Sequence, residues 1–104
     1  MKGEEKDMQT FTIEGIENWN GDRFYFLRGG FNPGQWFTKN PEKAERFDRE
    51  SQARAVAELL VALSKRDPFL GYESADIVMH DTDAAGRERS TVVGTYDFHY
   101  YRAP

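Results

Sequence analysis

The residues whose types could do chemistry are two histidines, His80 and His99, and the acids Asp81 and Asp83. An imidazole can move protons near neutral pH, and closely spaced carboxylates can hold a hard cation. Both histidines fall on one expected hairpin, His80 beside its turn and His99 near its open end. At ~3.3 Å per residue that places them more than ~20 Å apart, too far to share a site. A single histidine acting with an acid such as Asp97 is the remaining acid–base arrangement, but a lone histidine on a strand's open face is more often a solvated surface residue. Asp81-Thr82-Asp83-Ala84-Ala85-Gly86 resembles the opening of a calcium loop. Its fifth position is Ala85 and its twelfth is Val92, where a bidentate glutamate is needed, so the stretch reads as a charged hairpin tip. The chain has no cysteine, which removes thiolate ligands, thiol nucleophiles and disulfides. The expectation is a protein with no catalytic residue, metal or cofactor.

Binding chemistry has more candidates. Arg28 to Gly34 is a glycine-rich loop whose backbone N–H groups could meet an anion, but it lacks the Lys-Ser/Thr of a P-loop and reads first as a turn between strands. Phe31 and Asn32 stand within it, and an aromatic ring flanked by glycine and asparagine suits an anchor for a partner. In the last strand Val93, Thr95, Asp97, His99 and Tyr101 alternate onto one face. The expected core face is Val92, Gly94, Tyr96, Phe98 and Tyr100. Phe31, Asn32, Val93, Asp97, His99 and Tyr101 are therefore the candidate partner-binding residues.

The elements that position these residues follow from local pattern. Residues 1–8 are charged, lack an apolar anchor and are expected to be a disordered arm, leaving 9–104 as one domain. Phe11 and Ile13 alternate with threonines as in a half-buried strand. Asn20-Gly21 signals a hairpin with both central residues at positive φ, and Arg23 to Arg28 returns. Gln35 to Thr38 makes a short third strand. Asn40-Pro41 caps a single helical turn through Glu45, with proline at its first position. Asp48 is the expected cap of one amphipathic helix, Ser51 to Lys65, with Ala53, Val56, Ala57, Leu60 and Leu63 at helical spacing and Leu59 and Ala62 widening the stripe. Strands from Ser74 to His80 and from Val92 onward close the chain, joined by Asp83-Ala84-Ala85-Gly86 as a type I turn followed by a left-handed glycine. Odd residues of the first of these strands must pair with even residues of the second. Trp36, Phe37, Phe47 and Leu60 are expected to join the third strand to the helix.

The predicted fold is α+β: an antiparallel sheet of four or five strands on one main helix, in the order β-β-β-α-β-β. The net charge of −4 is spread along the chain, which argues against a nucleic-acid surface. No apolar run approaches a membrane span or a signal peptide, so a cytoplasmic protein is expected. Eight Phe, five Tyr and two Trp exceed what a small sheet and one helix obviously need.

Trp36-Phe37-Thr38, Ala44, Phe47 and Ala53 through Leu60, set between an aromatic hairpin and a closing strand pair, resemble the organisation of small bacteriophage and prophage accessory proteins. The resemblance covers about residues 23–66. It implies a compact domain without a cofactor that binds a macromolecule, such as a host bacterial protein of antiviral defence inhibited by surface occlusion. It transfers no individual residue's role. A small-ligand domain, for a nucleotide or other anion at Gly29 to Gly34, stays open as the alternative. Homodimer formation through a sheet edge is open in either case.

Overall fold

A computed structural model describes residues 9–17, 20–27, 36–66 and 71–98. Strands β1 (Thr10–Glu17), β2 (Arg23–Phe26), β3 (Phe37–Thr38), β4 (Tyr72–Thr82) and β5 (Glu88–Asp97) form one antiparallel sheet in the order β3-β2-β1-β4-β5. Helix α1 (Glu50–Arg66) packs on one face. The α+β fold and its element order are those expected from the pattern. Among the described residues no helix is long and apolar enough to cross a membrane.

β1 is the central strand because it pairs on both sides: with β2 around Gly15, and with β4 along its length. Phe11, Ile13 and Gly15 face the helix together with Ala75, Ile77 and Met79, so the alternation in the sequence becomes a single apolar surface. Helix α1 lays Ala53, Ala57 and Leu60 on it, all of them buried. The small alanines let the helix backbone approach the sheet closely, and Ile13, Leu60 and Ile77 fill the space between.

The aromatic excess has a structural use. Phe47 stacks on Phe26 (centroids 6.3 Å), Phe26 meets Phe37 edge-on (5.9 Å), Phe37 leans on Tyr72 (4.4 Å), and Tyr72 meets Phe24 (5.9 Å). This row of rings covers the β2–β3 part of the sheet. A Cβ on Gly15 would stand 2.9 Å from the Phe37 ring and 3.1 Å from Tyr72, so the close approach of those rings requires glycine there. Burial, with a smaller contribution from Glu17, pushes the Tyr72 hydroxyl up to about 12.

Turn chemistry largely follows the sequence. Asn40 accepts from the Glu42 N–H at 3.0 Å and caps a 3-10 turn, Pro41–Lys43. Asp83 Oδ1 accepts from the Ala85 and Arg87 N–H groups, and Gly86 takes φ +84 after a 2.9 Å turn bond to Asp83. These bonds, that of Arg87 foremost, hold the Asp83 carboxyl below its ordinary range.

Two local expectations are corrected. Gly21 alone of the Asn20-Gly21 pair is at positive φ (+77); the Asn20 side chain instead accepts from the Asp22 N–H at 3.0 Å, and Glu17 closes the loop onto Asp22 and Gly21. Asp48 does not cap α1. The helix begins at Glu50, and Phe47 bridges to Phe11 through paired backbone bonds of 2.9 and 2.8 Å, which fixes the approach of the chain to its first turn.

Candidate functional site

The face of the sheet away from α1 is polar and held in place by its own side chains. Glu14, Arg23, Asp76 and Thr95 form one network. Arg23 Nη1 donates to Asp76 at 3.0 Å and to Glu14 at 3.2 Å, and the Thr95 hydroxyl donates to Asp76 at 2.8 Å. Asp76 is buried, so its charge depends on those donors. The Asp76 hydrogen bond, with the nearby Asp76 and Glu14 charges, raises the already high Arg23 pKa against the opposing effect of burial.

A second network surrounds His80. Its Nε2 lies 2.8 Å from Thr12 Oγ1 and its Nδ1 lies 2.9 Å from Ser90 Oγ. Arg46, on the strand-like segment before Phe47, donates to Thr10 at 3.0 Å and to Glu88 at 3.2 Å beside it. Burial, then the Arg46 charge, lower the His80 pKa, and Glu88 and Glu14 act weakly the other way. A neutral ring between two hydroxyls donates to one and accepts from the other. Ser90 and His80 have the contact of a nucleophile and base, but the other ring nitrogen meets Thr12 where an orienting carboxylate would stand.

Between the networks the β4–β5 ladder carries a bulge. Ile77 pairs with Gly94 while Val78 pairs with Val92, leaving Val93 as the extra residue. From Gly94 onward, even β5 residues face the helix, as expected; before the bulge the parity reverses. The predicted placement of Val92 and Val93 is therefore inverted. Val93 packs against the core on the helix side, while Val92 is turned to the open face and is 52% exposed. Arg54 of α1 holds the bulge, donating to the Val93 carbonyl at 3.0 Å. Its guanidinium also reaches the Tyr96 hydroxyl at 3.2 Å and Glu50 at 2.6 Å.

Of the predicted partner-binding residues, Asp97 stands exposed on the open face, beyond Thr95. Phe31, Asn32, His99 and Tyr101 lie outside the described residues, as does the Gly29 to Gly34 loop. At the calcium-like stretch Asp81 is committed to Arg89 through two 3.2 Å contacts and Asp83 to the turn. Among the described residues no group of acids and histidines is placed to hold a metal ion.

The helix side holds a feature the sequence reading did not single out. An open trough of about 530 Å³ runs along Glu45, Asp48 and Gln52, and an apolar hollow of about 310 Å³ lies between Phe26, Trp36, Leu59 and Leu63; Val56 lines both. Trp36 was expected in the core; it is half-buried, forms a wall of the hollow, and its indole N–H has no acceptor among the described residues. The signal for this groove was the widening of the helix stripe by Leu59 and Ala62. Comparison with protein-family models, with curated proteins and with solved structures finds no match.

Proposed function

We propose that this chain is a non-enzymatic protein-binding module whose partner surface is the open face of the sheet along β4 and β5. The observation that carries this reading is Val92. A bulge re-aims an apolar side chain out of the core pattern and leaves it half exposed on a face whose polar neighbours are already tied to one another. Side chains held by Asp76 and His80 lose little freedom when a partner covers them, which lowers the cost of association. The face is a sheet surface with an apolar centre and a polar surround, the anatomy of a protein interface. Both concave features described above lie on the opposite, helix side. The resemblance to phage accessory proteins supports the narrower form of the proposal, in which the partner is a host bacterial protein inhibited by occlusion of its surface.

The test is retention from bacterial lysates on the immobilised protein, compared with a variant carrying Val92→Glu and Asp97→Lys. Both positions are exposed, so the fold tolerates the changes. One stoichiometric protein held by the original chain and lost from the variant is expected. Equal retention by both would place the partner surface elsewhere.

A further inference from the structure

The outer side of α1 carries a second stripe that the sheet does not use. Gln52, Ala55, Leu59, Ala62 and Arg66 follow one another at alternating intervals of three and four residues; all are exposed, Leu59 to 65%. That alternation is the spacing of a seam between two packed helices. In order of residue type the seam also reads alike from either end about Leu59, with an alanine four residues before it and another three after, and polar Gln52 and Arg66 each seven residues away. Such a palindrome suits a two-fold axis, across which a residue meets the counterpart of its mirror position.

We infer that a second copy of this chain docks on this seam, α1 against α1 and antiparallel, with the two-fold axis beside Leu59. Shape supports this occupant. The Leu59 side chain projects next to the apolar hollow formed with Phe26, Trp36 and Leu63, so one surface holds both a knob and the hole that receives the other copy's knob. Ala55 and Ala62 lie between the knobs and allow the helix axes to approach to ~8 Å. Charge supports it as well. Glu45 and Asp48 line the trough at the start of α1, Lys65 and Arg66 close its last turn, and none of these has an ion pair among the described residues. Antiparallel pairing about Leu59 sets Arg66 of one copy beside Gln52 of the other, within about one helical turn (~5.4 Å) of Asp48. Arg54 reaches to β5 instead, and it does not line the hollow.

The resulting order of layers is sheet, helix, helix, sheet. Both open faces then point outward on opposite sides, and a dimer presents the Val92 surface twice.

Sedimentation equilibrium across a wide concentration series tests the inference. The original chain is expected to reach the mass of two chains, and Leu59→Arg to stay at the mass of one while keeping its circular dichroism. Because the chain has no cysteine, Leu59→Cys provides a second reading: it should cross-link to a disulfide dimer on oxidation far faster than Val92→Cys on the opposite face. Asp48→Lys should weaken the dimer, and adding Arg66→Glu should restore it. The inference is overturned by a mass of one chain throughout with no preference for cross-linking at Leu59. It is equally overturned by a dimer that survives Leu59→Arg. Partner retention through Val92 is read separately, so either reading can fail alone.

Discussion

The Arg54 guanidinium reaches from the helix to the Val93 carbonyl, 3.0 Å away, at the point where β5 bulges. The contact ties α1 to the edge strand and stabilises the bulge that presents Val92 on the opposite face. A guanidinium serves three acceptors here in one plane, Val93, Tyr96 and Glu50, which an ammonium cannot match. Arg54→Lys is therefore expected to lower the melting temperature nearly as much as Arg54→Ala, and in both variants amide exchange should quicken first around Val92 to Gly94. Exchange unchanged in that stretch would show that the bulge stands without the contact.

Gly94 lies directly under the same guanidinium, where a Cβ would meet Arg54 Nη1 at 2.9 Å. The obstruction is the end of a flexible side chain, so Gly94→Ala should cost only about 1 kcal/mol. Gly15→Ala is a harder case, because its Cβ meets the packed rings of Phe37 and Tyr72. Urea denaturation should report a loss of about 2–3 kcal/mol for Gly15→Ala. The two alanine variants should thus rank in that order.

Thr95 donates to a buried carboxylate that it shares with Arg23. Thr95→Val keeps the shape and removes the donor, so denaturant midpoints should fall by an amount equivalent to about 1.5 kcal/mol, the worth of a hydrogen bond to a charged group. The same substitution should loosen Asp76 and Arg23 and raise side-chain disorder on the face. Nuclear magnetic resonance of the Arg23 guanidinium would read that directly.

His80 makes stability depend on pH in a definite direction. Its folded pKa lies below the ordinary 6.5, so the unfolded chain takes up a proton at a higher pH than the folded one. The contribution is fully present above the unfolded value and is lost as pH falls through the folded one. Melting temperature should therefore drop as pH is lowered from 6.5, and His80→Gln should remove that part of the dependence. An identical pH profile in His80→Gln would exclude this histidine as the cause.

Features set by neighbours in sequence were legible without a structure. The Asn40 cap, the left-handed Gly86, the alternation of β1 and the buried stripe of α1 each depend on a few adjacent residues, and each appears where the pattern placed it. The order of strands was not legible, because nothing local to β1 says that β4 will take its free side. The bulge was hidden for a related reason. Val92 and Val93 are the same residue type, so the alternation of β5 passes through them in either parity, and only pairing with β4 and the hold of Arg54 decide which one faces the helix. Asp97 lies on the open face of the last strand, where the alternation placed it, but the valine on that face is Val92 and not Val93. The groove beside α1 was legible only as excess width in the helix stripe, since its other wall comes from Phe26 and Trp36 in distant parts of the chain.

The most direct test of the open-face reading is hydrogen–deuterium exchange of the full chain with and without the partner that it retains from lysate. Binding through the open face predicts new protection concentrated in 88–97 and in the facing part of β4, centred on Val92, with 50–66 unchanged by the partner. Protection confined to α1, or none along β5, would contradict the account.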